Sequence, residues 1–293
     1  MTGVIHVQIG VVYPQTELES DAAAIRGYGE AVDAVGYAHV LAYDHVLGAD
    51  PVAHSPWVRP YDVSTPFQEV FVLFGYLAAT TSLEMATGVL ILPQRQTALV
   101  AKQAVQVDLL TGGRFRLGVG VGWNSVEYGA LGKEFCNRGR RLDEQIVLLR
   151  RLFTEPCLTF HGEFESIDAA GLNPLPPQRP IPIWVGGRSP AAYRRMGRLA
   201  DGWVPEMQPG PEFDQARSEV ARAAEAAGRD PASLGMDGRV TWTGDLRQLL
   251  VDVEVWRAAG ATHLSVNTMR AGLGGIDGHV SVLTRIAREL GLN

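Results

Sequence analysis

Short apolar runs rich in β-branched residues alternate with amphipathic segments along almost the whole chain. Apolar runs of this length are typical of parallel strands that are buried on both faces of a sheet. The pattern predicts eight such strands, over residues 4–12, 37–41, 85–92, 115–121, 181–185, 202–204, 234–242 and 263–267.

The segments between the predicted strands have apolar residues at helical spacing, with charged residues on the opposite face. The first stripe consists of Ile25, Tyr28, Val32 and Val35, and Gly36 after it is a typical helix stop. Similar stripes predict helices over 142–153, 246–253 and 280–290.

Strand–helix alternation repeated eight times predicts a closed parallel (β/α)₈ (TIM) barrel, which is an α/β fold. A doubly wound open sheet is the competing fold, and it would normally have a glycine-rich dinucleotide-binding turn after the first strand. Here Tyr13, Pro14 and Gln15 follow Val12 instead. We therefore expect a single barrel domain over residues 1–293, with insertion loops at the C-terminal face.

Two stretches interrupt the alternation. Residues 48–68 and 155–180 are rich in proline, and the first is also rich in aromatic residues. Long irregular loops in compact domains are often binding loops or lids, although they can also be plain surface connections. The first stretch directly follows a strand end, where barrel enzymes have their active sites, so it is the better candidate for shaping a pocket.

The composition restricts the classes of partner and compartment. The 293 residues carry a formal net charge of -6, whereas a general nucleic-acid partner would require a basic face. Cys136 and Cys157 are too few for a disulfide framework and are expected to be free thiols. The N-terminus has no signal-peptide pattern, and the longest apolar runs are far shorter than the ~20 residues of a membrane span. We therefore expect a cytoplasmic protein.

The residues just past the strand ends are the natural place to look for chemistry, because barrel active sites lie there. The second strand is followed by Asp44 and His45. An imidazole titrates near ~6.5, so His45 could donate or accept a proton near neutral pH. A surface histidine next to a helix-capping aspartate is the alternative interpretation.

Glycines at strand ends are the second candidate feature. Gly88 interrupts an apolar strand, which indicates a bulge, a close approach by a ligand, or a packing position under a large neighbour. Gly118, Gly120 and Gly122 alternate along the fourth strand and expose backbone on one side, where a ligand or a phosphate could bind. Their spacing matches neither the dinucleotide nor the P-loop fingerprint.

The fifth strand ends in Gly186, Gly187 and Arg188, followed by Ser189 and Pro190. Two glycines, an arginine and a helix N-terminus form a plausible phosphate site. An ordinary strand–helix turn, with the serine as N-cap and the proline at the first helical position, is the alternative, although it leaves the two glycines unexplained. The sequence contains no serine-hydrolase elbow, no paired-histidine metal motif and no P-loop.

Taken together, these strand ends resemble the bacterial-luciferase-like flavin and deazaflavin oxidoreductases, and most closely the branch that depends on coenzyme F420. The resemblance extends over nearly the whole chain. It rests on Leu-Ile-Leu-Pro-Gln-Arg at 90–95, Ala-Lys-Gln-Ala at 101–104, Asp-Leu-Leu-Thr-Gly-Gly-Arg at 108–114, Gly-Val-Gly-Val-Gly-Trp at 118–123, Arg-Gly-Arg-Arg-Leu-Asp-Glu at 138–144, Ile-Pro-Ile-Trp-Val-Gly-Gly at 181–187 and Asp-Gly-Trp at 201–203.

The resemblance implies specific roles for residues of this chain. Asp44 would contact the deazaflavin, and His45 would transfer a proton or orient the substrate. Gly88 and Val89 match a strand bulge, often with a non-proline cis peptide, that backs the ring together with Leu90. The residues that would line the cofactor and its phosphate-bearing tail are Gly120, Val121, Gly122, Gly186, Gly187 and, as a candidate basic residue, Arg188.

The chain departs from one branch of that superfamily. Sugar-phosphate dehydrogenases have a glutamate base just after the fourth-strand glycines, where this chain has Trp123, so neither that substrate nor that base is expected. The predicted function is hydride transfer between F420 and a small organic substrate, with His45 handling the proton. The alternatives are an FMN-dependent monooxygenase that uses reduced flavin and O₂, and a non-catalytic flavin- or F420-binding protein. The resemblance also implies a homodimer.

Overall fold

The computed structural model of the chain describes residues 7–18 and 21–292. Eight parallel strand positions close into a barrel surrounded by helices, so the predicted (β/α)₈ fold is confirmed. Residues 4–6 of the predicted first strand lie outside the described residues. In chain order the strands are β1 (Gln8–Val12), β2 (His39–Ala42), β3 (Glu84–Thr87), β4 (Leu90–Ile91), β5 (Phe115–Gly120), β6 (Leu158–His161), β7 (Ser166–Ala170), β8 (Ile183–Gly186), β9 (Gly202–Val204), β10 (Gly235–Thr241) and β11 (His263–Asn267).

The barrel strands follow one another in chain order, and only β6 and β7 stand apart as a separate hairpin. β1 pairs in parallel with β2 on one side and with β11 on the other, which closes the ring. The register places Gly10 opposite Ser265 and Val11 opposite Val40. Because all barrel strands are parallel, their C-terminal ends meet at one mouth, where barrel active sites lie.

The third barrel position is shared by β3 and β4, which are separated by Gly88 and Val89. The peptide bond between these two residues is cis. β3 pairs with both β2 and β5, and β4 continues the pairing with β5. The space beside Gly88 is filled by the Leu41 side chain, which leaves no room for a Cβ. The run predicted over 85–92 is therefore two strands, and the bulge expected at Gly88 is present.

The helix boundaries follow the signals in the sequence. Ser189 caps α6 by accepting a hydrogen bond from the Ala192 amide at 3.2 Å, and Pro190 is the first helical residue, as predicted. The last helix ends at Gly291, which has a φ of 65°. The helices are α1 (Ala22–Ala34), α2 (Val70–Ala78), α3 (Thr97–Thr111), α4 (Ser125–Ala130), α5 (Arg138–Thr154), α6 (Pro190–Leu199), α7 (Pro211–Ala226), α8 (Leu246–Ala258) and α9 (Ile276–Leu290).

Polar side chains occupy part of the barrel interior. The buried Arg116 guanidinium donates to Asp237 over 2.9 Å, and its Nε lies 3.3 Å from Glu84. His39 lies beside this pair, with its Nε2 2.9 Å from the Ser265 hydroxyl. Burial, and then the charge of Arg116, holds the pKa of His39 well below its ordinary value, so this histidine is neutral in the folded protein.

The second irregular stretch, predicted over 155–180, is partly regular. Its strands β6 and β7 form an antiparallel hairpin. The Glu144 carboxylate on α5 accepts hydrogen bonds from the amides of Glu163, Phe164 and Glu165, at 2.7 to 2.9 Å. These contacts hold the hairpin turn against α5, and none of the described hairpin residues lines the cavity at the barrel mouth.

Two further sequence predictions concern the thiols and the membrane. Cys136 and Cys157 are both exposed and free, as expected. Among the residues that the structure describes, no helix has both the length and the apolar character that crossing a bilayer requires.

Candidate active site

A cavity of about 810 Å³ opens at the C-terminal ends of the barrel strands. Its volume lies within the range typical of sites that bind small molecules and cofactors. Leu90 is not on its wall, because this side chain is fully buried in the hydrophobic core. The other predicted site residues all line the cavity, namely Asp44, His45, Gly88, Val89, Gly120, Val121, Gly122, Gly186, Gly187 and Arg188.

His45 follows β2 and is packed among aromatic side chains on the cavity wall. The ring centroids of Phe67, Trp123 and Tyr61 lie 4.8, 5.3 and 5.4 Å from that of the imidazole. The His45 side chain is 12% exposed. Such packing restricts the ring to a narrow range of orientations while leaving part of it open to the cavity. His45 is therefore a positioned group and not a freely mobile surface histidine.

A glutamate that the sequence interpretation missed lies next to His45. Glu127 Oε2 is 3.4 Å from His45 Nδ1, and the glutamate side chain is fully buried. The carboxylate also accepts hydrogen bonds from the amides of Val46 at 2.5 Å and Leu47 at 3.0 Å, and from Gln94 Nε2 at 3.0 Å. Burial by itself raises the pKa of Glu127, but the hydrogen bonds, beginning with that from His45, outweigh it and leave the pKa below its ordinary value. The group is therefore a carboxylate at neutral pH.

The sequence position of Glu127 gives only a weak signal of this role. A glutamate three residues after an N-cap asparagine, here Asn124, is close to the capping-box pattern. In the structure Asn124 does cap α4, accepting from the amides of Val126 and Glu127 at 3.2 and 3.3 Å. The glutamate side chain instead reaches the end of β2. A capping interpretation would therefore have given the right helix and the wrong partner.

Asp44 lies on the cavity wall, but its carboxylate is engaged within the protein. Oδ1 accepts a hydrogen bond from Arg95 at 2.7 Å, and Oδ2 accepts one from the Ile91 amide at 3.0 Å. Burial raises the pKa of Asp44, and the charge of Arg95 opposes that increase. These contacts tie the end of β2 to β4 and so support the bulged strand. A direct contact between Asp44 and a cofactor stays a prediction.

The sequence suggested that the glycines at the mouth leave exposed backbone for a ligand, but in the structure they make room for neighbouring side chains of the protein. A Cβ on Gly120 would lie 2.5 Å from Val89 Cγ2, and a Cβ on Gly186 would lie 2.9 Å from Val89 Cγ1. Gly122 has a φ of 62°, and a Cβ there would lie 2.8 Å from the Ile91 side chain. The space that these glycines leave is therefore occupied by Val89 and Ile91 and is not an open slot. Both side chains line the cavity, so a ligand would contact them directly.

The wall at the end of β8 combines glycine backbone with the N-terminus of α6, where Ser189 is the N-cap. Arg188 is on this wall, but its half-exposed guanidinium is paired with Glu212 at 2.5 and 2.6 Å. Arg138 also lines the cavity, and no carboxylate among the described residues forms an ion pair with it. Arg138 is therefore a better source of free positive charge than Arg188.

Residues 48–68 form one side of the mouth, as expected for the first irregular stretch. Pro60 and Tyr61 line the cavity. The Trp57 indole donates to the Tyr61 carbonyl at 3.2 Å, and its ring centroid lies 5.9 Å from that of Trp123. The loop thus packs its aromatic residues onto those that follow β5 and covers His45 from one side.

The fold and these contacts define a (β/α)₈-barrel protein with a cofactor-sized cavity and a positioned histidine–glutamate pair at its mouth. The chain belongs to the luciferase-like monooxygenase family, which matches residues 4–257.

Relatives of known and unknown activity are similar to long parts of the chain. Uncharacterized proteins of Mycobacterium bovis and Mycobacterium tuberculosis are 39% identical over 206 residues, covering 68% of this chain and 71% of theirs. The F420-dependent hydroxymycolic acid dehydrogenase of Mycobacterium tuberculosis is 29% identical over 263 residues, covering 86% and 68%. The FMNH₂-dependent dimethylsulfone monooxygenase of Pseudomonas putida is 33% identical over 184 residues, covering 61% and 50%.

Solved structures share the fold across the whole chain. An F420-dependent secondary alcohol dehydrogenase in complex with an F420–acetone adduct superposes with a TM-score of 0.75 at 17% identity, covering 96% of this chain and 99% of that one. At this identity the likeness establishes the fold alone. The named relatives are oxidoreductases and monooxygenases that depend on F420 or FMN.

Proposed function

We propose that the chain is an oxidoreductase that transfers a hydride between coenzyme F420 and a small organic substrate. The observation that carries the proposal is His45, held by a buried carboxylate on the wall of a cofactor-sized cavity. Transfer of a hydride to or from a carbonyl group also requires a proton, which a positioned imidazole can supply or accept near neutral pH. The F420-dependent relative aligns with 86% of this chain at 29% identity and the FMNH₂-dependent relative with 61% at 33% identity, and the longer alignment is the support for F420.

The described residues of the cavity fit a flat ring with a phosphate-bearing tail. Val89 and the glycine backbone at the ends of β5 and β8 provide a smooth wall for a ring. The dipole of α6 attracts anions at its N-terminus, although Pro190 has no N–H and the Ala192 amide already donates to Ser189. Arg138 adds a positive charge to the same cavity. We therefore assign the ring to the wall formed by Val89, Gly120 and Gly186, and the tail to the side of Gly187 and the N-terminus of α6.

When bound, F420 would accept or supply a hydride, which carries two electrons and one proton. His45 handles the remaining proton. Because Nδ1 faces Glu127, the neutral imidazole carries its hydrogen on Nδ1 and keeps a lone pair on Nε2. In the oxidation of an alcohol the hydride leaves the carbon and Nε2 takes the hydroxyl proton, and the imidazolium returns that proton in the reverse direction. Glu127 fixes the tautomer and stabilises the imidazolium, as carboxylate partners of catalytic histidines do.

Titration of the cofactor-free protein with F420 and, separately, with FMN tests the proposal. We expect saturable F420 binding, followed by alcohol oxidation or carbonyl reduction with a panel of small substrates. Tight binding of FMN without binding of F420 would overturn the choice of cofactor and favour a monooxygenase that uses reduced flavin and O₂. Binding of either cofactor without turnover of any alcohol, aldehyde, ketone or enone in the panel would favour a non-catalytic binding protein.

A further inference from the structure

The inward face of β10 places another positive charge in the cavity, away from the wall assigned to the cofactor tail. Arg239 lies two residues after Asp237 on β10, and alternate residues of a strand share one face. Asp237 is already paired with Arg116 at 2.9 Å and accepts a hydrogen bond from Ser265 at 3.0 Å. Arg239 lines the cavity at the mouth.

The backbone of Arg239 is held in place, and its guanidinium packs on an aromatic ring without being neutralised. Its backbone carbonyl accepts hydrogen bonds from Gln208 Nε2 at 3.1 Å and from the Trp256 indole at 3.2 Å. Its guanidinium carbon lies 5.2 Å from the ring centroid of Tyr43, whose own backbone is held by Gln15 at 2.8 and 2.9 Å. Within residues 7–18 and 21–292, no carboxylate forms an ion pair with Arg239.

The other charged groups of the cavity wall are paired with a partner in the protein or lie on a different part of the wall from Arg239. Arg188 and Arg195 line the same cavity, and each has a carboxylate partner. Glu206 lies near Arg188, where it adds to the rise in the pKa of Arg188 that is caused first by Glu212. A guanidinium at a binding surface without a counter-charge is suited to a ligand that supplies one.

The surroundings of Arg239 suit a carboxylate on an apolar body. Tyr43 and Tyr61 line the cavity and bring phenol groups close to the guanidinium. Arg270 lies over Tyr61 at 5.4 Å and donates to the Pro60 carbonyl at 3.0 Å, which adds a second guanidinium at the rim. A planar guanidinium matches the two oxygens of a carboxylate, and aromatic rings provide apolar contact for the remainder of the molecule.

The charge of Arg239 is also separate from the charge assigned to the cofactor tail. Arg138 contacts Phe135, with its guanidinium carbon 3.6 Å from that ring centroid, whereas Arg239 contacts Tyr43. Arg138 begins α5, which follows β5, and Arg239 is on β10, which is separated from β5 around the barrel by β9 and β8, so the two arginines lie on different walls. We propose that Arg239 binds an anionic group of the substrate, so that the substrate is an organic acid whose carboxylate meets Arg239 and whose apolar part packs near Tyr61. This inference rests on the proposed function, because that proposal leaves Arg239 free for the substrate.

Matched pairs of acids and amides test the inference. Benzoate with benzamide, and phenylacetate with phenylacetamide, have nearly the same shape and differ in charge. Isothermal titration of the wild-type protein, with and without the cofactor that it binds, should give at least tenfold tighter binding of each acid than of its amide. Arg239→Met should remove this preference and leave cofactor affinity unchanged. Arg138→Met is the matched control, which should weaken cofactor binding and keep the preference for the acid.

The outcomes separate this inference from the proposed function. Equal binding of acid and amide by the wild type, or binding of neither, overturns the inference. An intact preference for acids in Arg239→Met also overturns it, whether or not cofactor affinity falls. If neither F420 nor FMN binds but Arg239→Met removes the preference, the proposed function fails and the anion site stands. Should Arg239→Met not fold, Arg239→Lys must keep the preference, and in the wild type added salt must reduce it.

Discussion

Replacing Glu127 by glutamine tests the pair of side chains on which the mechanism depends. The substitution keeps the size and shape of the side chain but turns one carboxylate oxygen into an amide nitrogen that donates. Oε1 accepts two backbone amides, so the glutamine oxygen is expected to keep that side. The new amide nitrogen then faces Gln94 Nε2 and His45 Nδ1, both of which donate to Oε2 in the wild type.

Gln94 and His45 can both adapt to the new amide nitrogen, and this adaptation determines how much unfolding free energy is lost. Gln94 Oε1 is buried without a hydrogen-bond partner among the described residues, so a flip of this amide presents an acceptor. His45 can accept at Nδ1 if its hydrogen moves to Nε2. Two hydrogen bonds therefore survive but lose their charge, which costs about 1 kcal/mol each, so we expect a loss of about 2 kcal/mol in unfolding free energy. Turnover should fall about 10²-fold, because the neutral ring now has a hydrogen where a base is needed.

Long-range ¹H–¹⁵N NMR of the imidazole reports the tautomer directly, and chemical denaturation reports the stability. We expect the hydrogen on Nδ1 in the wild type and on Nε2 in Glu127→Gln. Glu134→Gln changes an exposed glutamate and serves as the matched control, with no effect on either measurement. An unchanged His45 tautomer together with an unchanged unfolding free energy would refute the pairing.

The pH dependence of stability provides an independent check of the same pair. The pKa of Glu127 in the folded protein lies below its unfolded value near 4.5. The stability that this carboxylate contributes is therefore fully present above pH 4.5 and is lost as the pH falls through the folded pKa. Below pH 4.5, the difference in unfolding free energy between wild type and Glu127→Gln should shrink as the pH falls. A difference that grows in acid would contradict the assignment.

Three further substitutions, one of them with a matched control, test other parts of the site and the core. His45→Ala should keep cofactor affinity and lose at least about 10²-fold in turnover, and full activity would remove His45 from the mechanism. Gly120→Ala should cost about 1–3 kcal/mol in chemical denaturation, because the new methyl group meets Val89, whereas Gly129→Ala meets no atom within 4 Å and should be neutral or slightly stabilising. Burial is the first cause that lowers the pKa of His263 from 6.5 to about 3, so only the unfolded state takes up this proton between those values. This residue should therefore reduce stability by up to about 1.4 kcal/mol per pH unit as the pH falls from 6.5 to 3, and His263→Gln should reduce that slope.

The sequence predicted the barrel well because its strands are buried on both faces and read as continuous apolar runs. The same property made residues 85–92 read as one strand, since the residues on both sides of Gly88 and Val89 are buried, and Gly88 itself was the sequence signal of the bulge. The hairpin β6–β7 was missed for the opposite reason. Most of its residues are partly or fully exposed, and Glu144 on α5 holds its turn through backbone amides that have no sequence signature.

The sequence could predict those features of the candidate site that depend only on the order and direction of the strands. Parallel strands bring their C-terminal ends together, which is why Asp44, His45 and the glycines were found at one mouth. The pairing of His45 with Glu127 depends on how α4 packs against the end of β2, between residues about 80 positions apart, and no local pattern encodes it. For the same reason the sequence could not show that Glu212 neutralises Arg188.

Two separate sets of hydrogen bonds hold the base of the 48–68 loop and the residues just before it. Glu127 holds the amides of Val46 and Leu47 as well as the imidazole, and the Val63 amide donates to the Ala49 carbonyl at 3.0 Å. The two ends of the intervening segment are thus fastened together beside the barrel. Glu127, Val46 and Leu47 lie outside that segment, so the carboxylate that orients the imidazole is held independently of residues 49–63.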